Sequence, residues 1–82
     1  MPIPEVVLYT KEGCGLCDEV KVELVRLASR FPHQLSEVDI TADHDAFARY
    51  RYTIPVVKIG AQTLKAPISA VQLETALAAM QE

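Results

Sequence analysis

The segment Glu5-Val6-Val7-Leu8-Tyr9-Thr10-Lys11-Glu12-Gly13-Cys14-Gly15-Leu16-Cys17 passes from an apolar, β-prone run through a polar, glycine-bearing turn to a pair of cysteines. Val6 to Tyr9 shows no polar alternation, as expected of a central strand covered on both faces. From Leu16 the period changes: Leu16, Val20, Leu24, Leu27 and Phe31 fall at helical spacing, with Glu19, Glu23, Arg26 and Arg30 between them. This helix is predicted to stop near Arg30, because Pro32 cannot extend it. The cysteines therefore sit at a strand-to-helix turn.

Outward from that unit, Gln34 to Ile40 reads as a second strand with Leu35, Val38 and Ile40 as its apolar members. Thr41 is placed to cap a short helix through Asp43-His44-Asp45, whose acids suit the positive end of the helix dipole, with Phe47 and Tyr50 on one face. Thr53-Ile54-Pro55 introduces a third strand, Val56-Val57-Lys58-Ile59. Gly60-Ala61 is the Gly-X pair of a tight hairpin into Gln62-Thr63-Leu64. Ser69 and Gln72 have capping-box spacing ahead of a closing helix with Leu73, Leu77 and Met80 as its apolar face. The order β-α-β-α-β-β-α predicts one α/β domain over residues 1–82, a small sheet with helices on both faces.

The whole chain sets bounds on function. Its 82 residues, half of them apolar, suffice for one compact core and not for two. The formal net charge of −3 lacks the basic excess that phosphate backbones demand, so nucleic acid is not expected as a partner. No stretch approaches the roughly 18 apolar residues of a membrane span, and no membrane association is expected. The start, Met1-Pro2-Ile3-Pro4-Glu5, has neither the basic end nor the apolar run of a secretion signal. A cytoplasmic monomer is the expectation.

Two cysteines three positions apart can close only a very short loop, so they suit chemistry better than a structural staple. Disulfide exchange needs one accessible thiolate to attack and a second thiol near enough to displace the mixed disulfide. Cys14 beside unpaired N–H groups at a helix start is the expected nucleophile, and Cys17, one turn further in, the buried resolving thiol. Lys11 and Lys21 favour the anion while Glu12, Asp18 and Glu19 oppose it, so the activation is expected to be modest. Spacing alone also admits half of a zinc site or an inert buried pair. A zinc site needs two more ligands, and His33 and His44 lack the short spacing of a finger. The strand-to-helix position argues against the inert pair.

Thr10-Lys11-Glu12-Gly13-Cys14-Gly15-Leu16-Cys17 after a buried strand, then Thr53-Ile54-Pro55-Val56-Val57 before a hairpin, resembles the glutaredoxin-like branch of the thioredoxin superfamily. Val38-Asp39-Ile40-Thr41 and Phe47-Ala48-Arg49-Tyr50 are similar to small bacterial glutaredoxin-like proteins. The resemblance implies a thioredoxin-like fold with a four-stranded mixed sheet, Cys14 as nucleophile, Cys17 as resolving thiol and Pro55 as a cis-proline facing the pair. It further implies that the backbone of Ile54 pairs with substrate, that Lys11 helps hold the carboxylate of glutathione, and that Thr53 lies beside the backbone that binds it. Read alone, Pro55 is a strand-start proline, Lys11 a solvated side chain and Thr53 a turn residue.

The chain also departs from the family. Gly15-Leu16 stands where dithiol glutaredoxins usually carry Pro-Tyr, and Lys65-Ala66-Pro67-Ile68-Ser69 replaces a Gly-Gly-x-Asp-like segment. Thioredoxins carry a tryptophan before the first cysteine, and this chain has none. The expectation is a thiol-disulfide oxidoreductase with no tightly bound cofactor, acting on a protein or low-molecular-weight disulfide. Its reductant is expected to be a thioredoxin-reductase system or glutathione, the latter a co-substrate whose site is incomplete. The competing reading is a non-catalytic module that binds a partner and retains the pair as a redox sensor or for a metal or iron-sulfur cluster. Arg49, Tyr50, Arg51 and Tyr52 are either partner contacts or the end of an amphipathic helix.

Overall fold

The computed structural model describes residues 3–80; Met1 and Pro2, on which the reading of the chain start partly rests, lie outside it, as do Gln81 and Glu82. Strand β1 (Glu5–Thr10) leads to helix α1 (Gly15–Leu27), strand β2 (Gln34–Asp39), a 3-10 turn (Ile40–Ala42) and helix α2 (His44–Tyr50). Strands β3 (Val56–Ile59) and β4 (Gln62–Lys65) and helix α3 (Ala70–Met80) follow. The predicted order is the observed one.

The four strands lie in the order β2-β1-β3-β4. β1 pairs in parallel with β2 and antiparallel with β3, in a register that sets Tyr9 opposite Val56, and β3 and β4 form an antiparallel hairpin. The C-terminal end of β1 and the N-terminal end of β3 therefore share one edge of the sheet. Gly60 makes the hairpin turn at φ +59°, a conformation that a side chain at Cβ would strain. On one face, Val6, Leu8, Val57 and Ile59 pack against Val20, Leu24 and Leu27 of α1 and Leu73, Ala76 and Leu77 of α3. On the other, Val56 packs with Ile40, Ala46 and Tyr50, and Tyr9 lies against Tyr50 with ring centres 4.7 Å apart. Among the described residues no helix is long and apolar enough to cross a membrane.

The predicted details fail where tertiary contacts outrank the local pattern. Helix α1 ends at Leu27, not near Arg30, and the N–H groups of Arg30 and Phe31 both return to the Leu27 carbonyl at 3.1 and 2.8 Å. Pro32 keeps Phe31 out of helical geometry, and the chain must reverse so that Gln34 N–H can reach Pro4 O at 2.8 Å. The buried stripe is Cys17-Val20-Leu24-Leu27, and Leu16 is 60% exposed. Cys17 takes the place that periodicity assigned to Leu16.

Strand β2 ends at Asp39 rather than Ile40. The Asp39 carboxylate accepts hydrogen bonds from Thr41 N–H at 2.8 Å and Thr41 Oγ1 at 2.6 Å, which curls the chain into the 3-10 turn. With Thr41 so engaged, Asp43 caps α2 instead, accepting from Ala46 N–H at 3.0 Å. The buried face of α2 is Ala46 with Tyr50, while Phe47 is 40% exposed, because the Tyr9 ring takes up Tyr50 and leaves Phe47 outside. Met80 is half-buried beside the closing face of Leu73, Ala76 and Leu77.

The capping box of α3 forms as predicted: Gln72 N–H donates to Ser69 Oγ at 3.1 Å, and Ser69 N–H to Gln72 Oε1 at 2.8 Å. Ser69→Ala removes one of these caps and is expected to cost about 1 kcal/mol. That corresponds to a fall of about 5 °C in melting temperature for a domain of this size, measured by circular dichroism.

Candidate active site

Gly13, at φ +82°, turns the chain out of β1, and Cys14 N–H closes the turn on Lys11 O at 3.3 Å. Cys14 then occupies the N-cap of α1 in extended geometry, and its Sγ accepts from Cys17 N–H at 3.2 Å. A sulfur at that position meets the unpaired amides and the positive end of the helix dipole, both of which favour negative charge. Cys14 and Cys17 are joined in a disulfide with their Cα atoms 5.2 Å apart. Cys14 is half-buried, whereas Cys17 is 1% exposed and belongs to the inner stripe of α1. Cys14 is thus the more accessible cysteine of the pair.

The residues named from sequence divide into two groups. Thr53, Ile54 and Pro55 lie at the N-terminal end of β3, on the sheet edge that β1 shares, and so at the end of the molecule that carries the cysteines. The Ile54–Pro55 bond is cis and Pro55 is fully buried. Thr53 N–H and Ile54 N–H both donate to Tyr50 O, at 2.9 and 3.1 Å, and Thr53 Oγ1 points to the same oxygen at 3.4 Å. Ala66 N–H reaches both Thr53 O, at 3.4 Å, and Pro55 O, at 3.1 Å. These bonds hold the loop in place, and none of them uses the Ile54 carbonyl. The Ala66–Pro67 bond is also cis.

Lys11 lies on the other flank, exposed, in a hollow of about 380 Å³ that it shares with Thr10, Glu12, Asp18, Glu37 and Asp39. Acids outnumber bases there. Lys21, expected to support a Cys14 thiolate, instead pairs with Glu37 on β2 at 3.0 Å. The two hydrogen bonds from Thr41, the side-chain one foremost, hold the Asp39 carboxyl below its ordinary value and keep it charged. No periodicity in the chain signals the Lys21–Glu37 pair, which arises from the parallel pairing of β1 and β2. Among the described residues no group of three or more His, Cys, Asp or Glu is disposed to hold a metal ion.

The helix N-terminus and the acidic rim act on Cys14 in opposite directions. In a Cys17→Ser variant the Cys14 thiol is expected to ionise below the value of about 8.5 for a free cysteine. The pH midpoint of its alkylation by iodoacetamide measures this, and an unshifted midpoint would show that the rim cancels the helix.

The sequence model of the glutaredoxin-like domain (DUF836) matches residues 5–78, nearly the full chain and all of its strands. The chain belongs to this glutaredoxin-like family. Solved structures agree on the fold of the glutaredoxin-like chain. A structural genomics target protein from X. campestris is 27% identical with a TM-score of 0.74, over 90% of this chain and 96% of that one. Thioredoxin 1 from Thermosipho africanus superposes with a TM-score of 0.75 at 13% identity, over 94% and 93% of the two chains. Thioredoxin O2 from Arabidopsis thaliana, in its oxidised state, gives 0.74 at 19% identity, over 98% of this chain and 76% of that one. At those identities the two thioredoxins establish the thioredoxin-like fold alone. With a Cys14–Cys17 disulfide set in that fold, the glutaredoxin-like protein is of redox type.

Proposed function

We propose that this protein is a dithiol-disulfide oxidoreductase. The observation that carries the reading is the division of labour at the start of α1: an accessible Cys14 at the helix N-cap and an inaccessible Cys17 beneath it. In the reduced protein, the Cys14 thiolate attacks one sulfur of a substrate disulfide. A Cys14–substrate bond forms, the substrate S–S bond breaks, and the other substrate sulfur leaves as a thiolate that takes up a proton. Cys17, giving up its proton, attacks Cys14 Sγ and expels the second substrate thiolate. The substrate gains two electrons and two protons, and the protein is left as the Cys14–Cys17 disulfide.

An external thiol or dithiol returns it to the reduced form, either glutathione as a co-substrate or a thioredoxin-reductase system, in the reducing cytoplasm. No tightly bound cofactor takes part in these steps, and a monomer suffices for them. In this reading the Ile54 carbonyl, beside the buried Pro55, accepts an N–H from an extended substrate. Thr53 braces that loop through Tyr50, and Lys11 meets the substrate from the opposite flank. The test is dithiothreitol-driven reduction of insulin and of 2-hydroxyethyl disulfide. Acceleration over the uncatalysed rate is expected with at least one of them, and no acceleration with either would sink the proposal.

A further inference from the structure

Between α2 and the cis bond the chain carries a feature that the exchange chemistry does not use. The guanidinium carbon of Arg51 lies 4.8 Å from the centre of the Tyr52 ring and 5.6 Å from that of Phe47. Two rings thus hold one cation. Among the described residues Arg51 enters no ion pair, so the edge N–H groups of its fork remain free to meet a carboxylate. Arg49, in the last turn of α2, lines a separate hollow with Asp43, Asp45 and Lys58.

The rings themselves are uncovered. Tyr52 is 86% exposed and Phe47 40%. Tyr52 immediately precedes Thr53-Ile54-Pro55, and Leu16, 60% exposed, stands between the cysteines at the same end of the sheet. Apolar side chains of this size left in water beside a reactive pair mark a contact surface. An arginine already stacked on aromatic rings loses less freedom when it engages a ligand than one that swings free.

We propose that Phe47, Arg51 and Tyr52 form the substrate-docking surface of the exchange site. The substrate it fits is an extended polypeptide segment with a carboxylate and a bulky apolar side chain next to its cysteine. The proposal rests on the dithiol-exchange reading above. The Arg51 guanidinium selects the carboxylate by charge complementarity, and the exposed rings select the apolar neighbour. Glutathione disulfide brings carboxylates but no apolar side chain, and would leave Tyr52 and Leu16 in water. A polypeptide supplies both groups.

The test compares kcat/KM for four disulfides: a disulfide-linked peptide with Asp and Phe beside its cysteine, the same peptide with Lys for Asp, glutathione disulfide and 2-hydroxyethyl disulfide. The acidic peptide is expected to exceed the lysine peptide about fivefold. Arg51→Gln and Tyr52→Ala are each expected to lower the ratio of acidic peptide to 2-hydroxyethyl disulfide about fivefold, chiefly through KM. Equal turnover of the two peptides, or an unchanged ratio in both variants, would overturn the proposal. So would an equal loss with glutathione disulfide, which would make the carboxylates those of glutathione. The acidic peptide with Ser in place of its cysteine reads the surface without chemistry, through chemical-shift changes in the oxidised protein. Saturable shifts at Tyr52 that Arg51→Gln weakens support the surface, and no shift there overturns it. Peptide binding without turnover of any disulfide would count against the exchange reading and leave the surface standing.

Discussion

Cys14→Ser is expected to bring disulfide exchange down to the uncatalysed rate, a loss of at least about a thousandfold, because a serine hydroxyl ionises far too weakly to attack sulfur near neutral pH. The helix should survive the change. Serine is among the best N-cap residues, and its oxygen can accept the Cys17 N–H that Cys14 Sγ accepts now. An unchanged circular dichroism spectrum with lost turnover would therefore separate chemistry from folding. Cys17→Ser has a different signature: Cys14 still attacks, no second thiol follows, and the protein accumulates as a mixed disulfide with its substrate. Mass spectrometry reads the adduct. Wild-type turnover by Cys14→Ser, or a substrate adduct carried on Cys17 in that variant, would overturn the assignment of attacking and resolving sulfurs.

Leu24→Ala is expected to destabilise the domain by about 3 kcal/mol, within the range for emptying a leucine site in a packed core. Leu24 is fully buried, in one cluster with Leu8 of β1 and Leu73 and Leu77 of α3, so several elements would have to move to close the cavity. Against a total stability of about 5–15 kcal/mol for a domain, that loss is large. It corresponds to a fall of about 15 °C in melting temperature, read by calorimetry or urea titration. The site would feel it as well, since the same stripe of α1 that holds Leu24 holds Cys17 and orients the Cys14 cap. A cost below about 1 kcal/mol would mean that α1 and α3 slide together to refill the space.

What the sequence left illegible lies in choices between neighbouring residues. Leu16 and Cys17 both fit a helical stripe of period 3.6, and periodicity favours the leucine. The structure buries the cysteine, because the sharp turn at Gly13 sets the phase of the helix so that Cys17 faces the sheet. Thr41 and Asp43 are both good caps, and the contest is settled by Asp39, whose carboxylate occupies Thr41 first. Phe47 and Tyr50 share a face three residues apart, and it is Tyr50 that packs on the Tyr9 ring of β1.

The strand, glycine turn and paired cysteines at the head of the chain, with Thr53-Ile54-Pro55 ahead of a hairpin, carry the order of elements and the chemistry of the site in local terms. Dipoles, turn propensities and sulfur spacing act between residues close along the chain, and a reader of the sequence can weigh them. The surroundings of Cys14 are of another kind. Lys21 is taken up by Glu37 only because β1 and β2 run parallel in one register. Pro55 comes to the cysteine end only because β3 runs back along β1, and Tyr50 is buried because Tyr9 of β1 meets it, while Tyr52 stays in water. These contacts join residues far apart in sequence through packing that no local pattern encodes, so the charge and shape that meet a substrate were decided by the assembled sheet.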